Sequence, residues 1–491
     1  MLRKIRTILA AVVFVLITLL FLDFTGTLHC WLGWLAKIQF LPAVMALNVI
    51  VVVALVLLTL VFGRIYCSVI CPLGIFQDVL ARFHRKKNKY SYSAELKWLR
   101  YPMLMVFVIA GVSGVGSLFQ LLAPYSAYGR IATMIFQPIW KVANNLLAMA
   151  AEHYESYAFY SVDTWMRSLP VFIIAAVTLV VLFVLAWRGG RTYCNTICPV
   201  GTILSFFARF SWLKIRFDED KCKNCSLCSK NCKAACIDFK THTVDYSRCV
   251  VCGNCIDSCK FGALKYTGRA GQTSKIGEAG NIDTSKRSFL LASALVTTAA
   301  MAQKKEKLMD GGLADIEDKV APERQIPLAP PGSLSLRNLA THCTGCQLCV
   351  SECPNQVLRP SSDLMHLMLP LMSYEHGYCR PECTRCSEVC PAGAIKKVDK
   401  PEKSSIQIGH AVWIKKNCVV LTDEVECGNC ARHCPSGAIE MVPLDSANEE
   451  SPMVPAINEA ACIGCGACEY VCPSRPFSAI YVEGHEVHKH I

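Results

Sequence analysis

Cysteine spacing is the feature of this chain that most restricts what it can fold into. Thirty of its 491 residues are cysteine, and 24 of these form six groups of four. In every group the last three cysteines follow the pattern Cys-x2-Cys-x3-Cys. Such loops hold three corners of a [4Fe–4S] cluster while the fourth cysteine reaches a neighbouring cluster, whereas zinc sites usually pair two separated Cys-x2-Cys knuckles. The spacing therefore predicts iron–sulfur clusters rather than zinc or disulfides.

The first and second quartets lie a short hairpin apart. They comprise Cys222, Cys225, Cys228 and Cys232, and then Cys249, Cys252, Cys255 and Cys259. Exchange of the last cysteines places Cys259 with the first quartet and Cys232 with the second. This pattern resembles a bacterial two-cluster ferredoxin, with one departure: lysine follows each quartet where that family usually has proline.

Apolar segments indicate that the N-terminal part of the chain lies in a membrane. Hydrophobic residues make up 53% of the chain, and long apolar segments predict transmembrane helices at residues 7–22, 40–62, 103–122 and 170–187. Because loops rich in Lys and Arg stay in the cytoplasm, residues 63–102 and 188–285 are predicted to be cytoplasmic, on the inner face of a bacterial inner membrane. This topology also accounts for the net charge of +12 without a nucleic-acid partner.

A duplicated motif follows the second and the fourth predicted helices. It reads Arg-x-Tyr-Cys-x3-Cys-Pro-[Leu/Val]-Gly, and its two copies supply Cys67, Cys71, Cys194 and Cys198. Both copies fall on the predicted cytoplasmic face. The four thiols could jointly hold a further metal centre or act as two redox-active dithiols. The structural alternative is a tight helix start that Pro72 and Pro199 fix.

These features together resemble a known class of membrane protein. Four spans, two Cys-x3-Cys-Pro motifs and a two-cluster ferredoxin are similar to NapH-type quinol dehydrogenase components and to the C-terminal membrane part of NosR. The resemblance covers residues 1–266 and implies electron exchange with membrane quinone or quinol. The flavin-attachment motif expected for NosR, Ser/Thr-Gly-Ala-Thr, is absent from the sequence.

The segment between the two cysteine-rich parts resembles an export signal. A linker at 267–285 precedes Lys286-Arg287-Ser288-Phe289-Leu290 and an apolar stretch, so that residues 286–302 are similar to a twin-arginine signal with lysine replacing the first arginine. Three interpretations stay open: a signal cleaved near Ala302, a short fifth membrane anchor, or an apolar helix lying on the protein. The first two predict a periplasmic C-terminal domain, after a second linker at 303–333.

Residues 334–484 hold the other four quartets, each followed by proline. These third to sixth quartets comprise Cys343, Cys346, Cys349 and Cys353; Cys379, Cys383, Cys386 and Cys390; Cys418, Cys427, Cys430 and Cys434; and Cys462, Cys465, Cys468 and Cys472. This part resembles MauM/NapG-type ferredoxins, especially in the spacing Cys418-x8-Cys427. The resemblance implies that the third quartet pairs with the sixth and the fourth with the fifth; pairing in chain order stays open.

Several residues lie outside these motifs. Cys30 and Cys236 have no assigned cluster, and residues 485–491 form a histidine-rich tail. Near the predicted outer membrane boundary, polar side chains either contribute to a quinone site or mark helix ends: Asp23, His29 and Asn48.

The predicted architecture is a membrane α domain at residues 1–205, with four transmembrane helices and a short fifth in one interpretation. An α+β bacterial-ferredoxin-like domain follows at 206–266, and an α+β four-cluster ferredoxin domain at 334–484. We expect six [4Fe–4S] clusters that carry electrons from the quinol pool to a partner oxidoreductase or cytochrome. Quinol dehydrogenase activity stays open. The alternatives are a relay between cytoplasmic ferredoxin and the quinone pool and, from another class, a zinc-binding membrane assembly or sensor protein.

Overall fold

The computed structural model describes residues 2–83, 90–156, 159–268, 319–445 and 451–491. Within these limits the chain forms a helical domain (residues 2–211), a first ferredoxin unit (212–268) and a second ferredoxin unit (319–491). The export-signal or anchor segment predicted at 286–302 lies outside the described residues, as do most of the two linkers beside it.

Two helices of the helical domain are long and apolar enough to cross a membrane, Leu2–Leu22 and Leu169–Gly189. Each has 21 residues, which corresponds to about 31 Å of helix. The other helices are His29–Leu32, Trp34–Lys37, Phe40–Met45, Val49–Phe62, Tyr66–Val69, Pro72–Leu80, Lys97–Val112, Gly116–Leu122, Pro124–Ile131, Gln137–His153, Thr192–Thr196 and Pro199–Ala208. A π-helical turn, Ala132–Phe136, joins two of them.

The prediction of four full-length spans is wrong in number, because two of the predicted spans are interrupted. In the second, Leu47 has a φ of 52° and the Asn48 side chain caps a new helix, Val49–Phe62, which is only 14 residues long. In the third, helix Lys97–Val112 ends before Gly114, whose φ is 74°. The two helices measure about 21 and 24 Å, short of a hydrocarbon core of about 30 Å. Among the described residues, two helices therefore meet the requirements for a span.

The first ferredoxin unit is built on two antiparallel strand pairs. Strand Lys214–Phe217 pairs with Leu264–Thr267, and Ile237–Asp238 pairs with Thr243–Val244. A 3-10 turn, Glu219–Lys221, precedes the first quartet. Each quartet contains a short helix, and these two helices pack on each other: Leu227–Lys230 and Asn254–Ser258. Most buried residues of this unit form a hydrophobic core of their own, whereas Val250 and Cys252 belong to the core of the helical domain.

The second ferredoxin unit has two packed pairs of quartet helices and three antiparallel strand pairs. Its antiparallel strand pairs are Leu358–Pro360 with Pro370–Met372, Ile406–Trp413 with Ile480–His490, and Ile439–Pro443 with Met453–Ile457. Its helices are Leu336–His342, Leu348–Glu352, Arg385–Val389, Lys400–Ser405, Val419–Thr422, Asn429–Arg432 and Ala467–Val471, with a 3-10 turn at Lys415–Asn417. The part around the third and fourth quartets shares one hydrophobic core with the helical domain, and the fifth and sixth quartets belong to another.

The two ferredoxin units contact opposite ends of helix Leu2–Leu22. At its start, Arg3 forms an ion pair of 3.5 Å with Asp257 of the first unit. At its end, the Phe21 carbonyl accepts a hydrogen bond from Gln137, whose amide also donates to Ser351 of the second unit. The helical domain therefore lies between the two units.

Candidate iron–sulfur centres

The first and second quartets exchange their last cysteines in space. A small cavity is lined by Cys222, Cys225, Cys228 and Cys259. Cys232 lies among the thiols of the second quartet. Burial raises the pKa of Cys252 to about 11, and the negative charge of the nearby Cys232 thiolate contributes to this shift. The predicted ligand sets are thus brought together, and cluster ligation itself stays a prediction.

The spare cysteines have different surroundings. Cys236 is buried, with its Sγ atom 3.6 Å from Cys232 Sγ. It therefore lies next to the second ligand set without belonging to a quartet loop. Cys30 is exposed on the helical domain, and it belongs neither to a quartet nor to a Cys-x3-Cys-Pro motif.

In the second unit the third and fourth quartets form an exchanging pair. One cavity is lined by Cys353, Cys379, Cys383 and Cys386. Reciprocally, burial raises the pKa of Cys343, and the neighbouring thiolates of Cys346 and Cys390 raise it further. The short helices within these quartets, Leu348–Glu352 and Arg385–Val389, pack on each other.

The fifth and sixth quartets form the second pair. Burial and the thiolates of Cys465, Cys462 and Cys434 raise the pKa of Cys468, so Cys434 has crossed to the sixth quartet. Cys472 lies in the same core as the fifth quartet. The pairing implied by the MauM/NapG resemblance, third with sixth and fourth with fifth, is therefore wrong. Quartets adjacent in sequence pair because their short helices pack directly on each other.

The donor set at these sites fits iron–sulfur clusters. Backbone amides donate to ligand sulfurs, as from Ala263 to Cys259, from Gly345 to Cys343 and from Ala479 to Cys472, each at 3.3 Å. Amide donors of this kind tune cluster potentials. Among the described residues no three His, Cys, Asp or Glu side chains are grouped for a single metal ion.

The two copies of the Cys-x3-Cys-Pro motif meet inside the helical domain. Their four thiols, called the central thiols below, are all buried and lie close enough to interact electrostatically with one another: Cys67, Cys71, Cys194 and Cys198. Tertiary structure thus joins two motifs that are more than 120 residues apart in the chain.

The arginines of the motifs hold the two copies together by crossing over. Arg64 of the first copy donates to the carbonyl of Cys194 at 3.1 Å and lies 3.8 Å from Cys67 Sγ. Arg191 of the second copy donates to the carbonyl of Cys67. Both arginines are fully buried. Two fixed positive charges beside four thiols favour an anionic site.

The last glycine of each motif is required by close packing. A Cβ atom on Gly74 would lie 2.2 Å from the Cys67 carbonyl oxygen, and one on Gly201 would lie 2.4 Å from that of Cys194. Each proline-initiated helix therefore starts directly against the carbonyl of the first motif cysteine. In the second motif, the amide of Gly201 donates a hydrogen bond to Cys198 Sγ at 3.4 Å.

The motif tyrosines anchor the central thiols to two similar segments. The hydroxyl of Tyr66 donates to Gln39 and accepts from the amide of Phe40, at 3.1 and 3.0 Å. The hydroxyl of Tyr193 donates to the carbonyl of Leu122 at 3.3 Å. The segments Gln39-Phe-Leu-Pro and Gln120-Leu-Leu-Ala-Pro are alike in sequence, so the internal repeat extends further than the motifs that revealed it.

Sequence reasoning missed a buried carboxylate, Asp78, which is linked to the central thiols through Arg191. Asp78 accepts from Arg191 at 2.9 Å and from Arg6 at 3.1 Å, and lies 3.4 Å from the Lys233 ammonium. Lys233 directly follows Cys232. The lysine that replaces the usual proline of ferredoxins therefore serves to attach the first unit to the helical domain.

Two of the three predicted quinone-site candidates, Asp23 and Asn48, have structural roles, whereas a role for His29 stays a prediction. Asp23 accepts hydrogen bonds from the amides of Thr25, Gly26 and Leu28, so it fixes the turn that ends helix Leu2–Leu22. Asn48 caps the next long helix, as described above. Both residues mark helix ends, the second of the two interpretations that the sequence allowed.

Comparison with known proteins supports the iron–sulfur assignment. A family model described as a 4Fe-4S binding domain matches residues 44–90 and 169–218, which contain both Cys-x3-Cys-Pro motifs. Models described as 4Fe-4S dicluster domains match residues 425–475 and 245–357. The match at 425–475 contains the sixth quartet and the last three cysteines of the fifth, and leaves out Cys418.

Similar proteins cover different parts of the chain. An uncharacterized protein of Methanocaldococcus jannaschii is 25% identical over 260 residues, 51% of this chain and 83% of the relative. Ferredoxin-type protein NapH of Escherichia coli is 26% identical over 47% of this chain and 70% of its own length. Ferredoxin-type protein NapG of the same organism is 26% identical over 33% and 75%. No solved structure matches. The chain therefore contains 4Fe–4S binding domains and is related to both the NapH and the NapG ferredoxin-type proteins.

Proposed function

We propose that this chain is a membrane-bound electron-transfer protein whose iron–sulfur centres form one continuous series through the helical domain. The observation that carries the proposal is the position of the central thiols. They are linked by short contacts to a quartet of the first ferredoxin unit on one side and to a quartet of the second unit on the other.

On the side of the first unit, the contacts are direct. The Arg191 amide donates to the carbonyl of Lys233, next to Cys232, at 2.9 Å. Arg64 donates to the carbonyl of Ser247, two residues before Cys249, at 2.9 Å. The two arginines that hold the central thiols together therefore also hold the second quartet.

On the side of the second unit, the link runs through the Gln120 segment. Tyr193 binds the carbonyl of Leu122, and Gln120 donates to the carbonyl of Cys343 at 3.1 Å. The buried Arg130 donates to the carbonyl of Gln120 at 2.8 Å and interacts electrostatically with both Tyr193 and Cys346. The third quartet is thus the nearest one of the second unit.

The four quartets of the second unit continue the series. The Cys379 amide donates to the Cys465 carbonyl at 3.0 Å, and Tyr374 donates to the Gly464 carbonyl at 2.6 Å. The third–fourth pair therefore contacts the sixth–fifth pair. The fifth quartet is at the far end, where Cys427 lines an open cleft of ≈ 820 Å³ that we assign to a redox partner protein.

The central thiols supply the missing step between the two units. We assign them to a seventh iron–sulfur centre, because a buried set of four thiols with two arginines and amide N–H donors provides ligands, charge balance and hydrogen bonds to sulfur. When bound, such a centre supplies a one-electron carrier between the second and the third quartets. The alternative, two dithiols, would contribute no iron.

Membrane binding follows from the surface of the helical domain. Side chains on its two long helices that would be buried in a soluble bundle are exposed, for example Ile8 at 63% and Val180 at 61%. Shorter helices add to this apolar belt, with Ile50 at 83% and Val112 at 86% exposed. Such a continuous apolar surface matches a bilayer rather than water.

The positions of the two units support opposite sides of the membrane for them. The described residues on either side of 269–318 belong to units at opposite ends of the helical domain, as expected if the predicted segment 286–302 crosses. We therefore place the first unit in the cytoplasm and the second in the periplasm, with the membrane quinone pool as the electron source.

Electron transfer across sealed vesicles tests the proposal. The purified, cluster-loaded chain is placed in liposomes that enclose ferricyanide, and dithionite is added outside; neither reagent crosses the bilayer. Bleaching of the enclosed ferricyanide, dependent on the protein, is the expected result. A rate equal to that of empty liposomes, with all clusters intact, would refute a continuous series.

A further inference from the structure

We propose that the cavity between the π-helical turn Ala132–Phe136 and the segment Thr164–Phe172 binds the head group of a membrane quinone. This inference rests on the proposed function, because it locates the entry of electrons from the membrane. The cavity has a volume of ≈ 240 Å³ and opens on the helical domain beside the third and fourth quartets. A dry apolar cavity of about 150 Å³ holds benzene in another protein, so this one is large enough for a substituted quinone ring.

The lining of the cavity is mostly apolar with a few hydrogen-bond donors. Apolar walls come from Met134, Trp165 and Phe172, and donors from Lys141 and Arg167. None of the lining residues that the structure describes is a carboxylate. A quinone presents a flat ring with carbonyl oxygens that only accept hydrogen bonds, and this combination of aromatic walls and donors is complementary to it.

Two polar atoms of the lining lack a partner within the described part of the chain. Thr133 is 2% exposed, and its Oγ1 atom makes no hydrogen bond. The Nη1 atom of Arg167 is also buried and unpaired. Leaving a buried polar group without a hydrogen bond is unfavourable, so a ligand with acceptor oxygens would be stabilised by bonding to these two donors. Thr133 lies in the π-helical turn, an element frequently found at functional sites.

The cavity is accessible from the apolar surface and adjacent to candidate ligands of a cluster. Ile173 and Ile139, beside its rim, are 51% and 63% exposed on the membrane-facing surface. Gln137, in its wall, donates to the Ser351 carbonyl between Cys349 and Cys353 at 3.4 Å. A ring bound here would therefore lie between the bilayer and the third quartet.

Photoaffinity labelling of the intact, cluster-loaded chain in detergent tests the site. The probe is a short-chain benzoquinone that carries an azide. Labelled peptides should contain residues 133–141 or 164–172, and unmodified short-chain benzoquinone should prevent the labelling. Labelling confined to other peptides, or protection by phosphatidylglycerol but not by quinone, would overturn the proposal; the latter would identify a phospholipid site.

A conservative variant separates a ligand contact from a structural one. Thr133→Val removes only the unpaired hydroxyl, so it should leave folding intact and weaken quinone binding about fivefold, the value of one hydrogen bond. Thr178→Val is the matched control, since Thr178 Oγ1 bonds to the carbonyl of Ile174 in its own helix. Equal affinity of both variants and the unaltered chain would overturn the role of Thr133.

The vesicle assay distinguishes this inference from the proposed function. That assay contains no quinone, so Thr133→Val should conduct electrons at the normal rate. Quinone labelling at the cavity in a chain that fails the vesicle assay would leave the binding site standing and refute the continuous series.

Discussion

The cysteines of this chain are brought together in two different ways. At each of the six quartet sites, three of four thiols come from one loop of at most 13 residues, the longest being Cys418–Cys430. The central thiols instead come in pairs from two motifs in different halves of the helical domain, held by Arg64 and Arg191. A locally encoded site depends on a loop and one exchanged cysteine, whereas the central site depends on the packing of the whole domain. Its integrity should therefore respond to changes that leave the quartets untouched.

The largest expected effect comes from removing one central thiol. Cys194→Ser should lower the iron content by about four atoms per chain and reduce electron transfer across vesicles to the level of empty liposomes. The quartet clusters should stay, because no quartet shares this ligand. Iron analysis and the vesicle assay measure both effects.

Cys30→Ser is the control for that variant, since Cys30 is exposed and lies outside both motifs. Unaltered iron content in Cys194→Ser would favour redox-active dithiols over a seventh centre. Unaltered transfer across vesicles would exclude the central thiols from the electron path.

Loss of the Asp78 carboxylate should destabilise the joint between the central site and the first unit. Asp78→Asn leaves Arg6, Arg191 and Lys233 without their shared counter-charge, and breaking a buried pair costs about 3–5 kcal/mol. The exposed pair Arg3–Asp257 provides the control, because Asp257→Asn should cost less than about 1 kcal/mol. Thermal unfolding in detergent compares the two; similar melting temperatures would contradict the central role of Asp78.

The glycine that ends the second motif should resist substitution. Gly201→Ala places a methyl group against the Cys194 carbonyl, and overpacking of this kind costs about 1–3 kcal/mol. Gly111→Ala is the control, since its nearest atom would be Phe119 at 3.4 Å and alanine is the better helix former. Unfolding measurements that rank Gly201→Ala as the more stable variant would refute the close packing.

The smallest effects should distinguish the two halves of the repeat. Tyr66→Phe loses two hydrogen bonds, to Gln39 and from Phe40, whereas Tyr193→Phe loses one. At about 1 kcal/mol each, the first variant should be the less stable by about 1 kcal/mol. If Tyr193→Phe were instead the less stable variant in matched unfolding experiments, the number of hydrogen bonds made by each tyrosine would not explain its contribution to stability.

Much of the candidate site follows from local sequence. The spacing of each quartet predicts a loop that presents three thiols together and a fourth cysteine that reaches a neighbouring cluster. The exchange between Cys232 and Cys259 was expected on this basis, and the structure brings these residues to the expected neighbours. The pairing of the later quartets was expected from resemblance alone, and here packing of consecutive short helices led to a different result.

Hydropathy predicted the apolar segments but not their geometry. Residues 40–62 and 103–122 are mostly apolar and contain no charged side chain, yet each is broken by a residue with positive φ, Leu47 in one and Gly114 in the other. Composition cannot distinguish a straight span from a short helix joined to a folded segment. The folded segments carry Gln39 and Gln120, which bind or flank the motif tyrosines, so the interruptions serve the central site.

The sequence by itself determined the number of quartets, the identity of their thiols and the presence of two related motifs. These properties depend on residues close together in the chain, where spacing fixes what a loop can reach. Only the tertiary structure decided that the two motifs form one site, that Asp78 and Lys233 join it to the first unit, and that Gln120 joins it to the second. Those contacts connect residues at least 71 positions apart, and their partners are chosen by the packing of a shared core rather than by any local pattern.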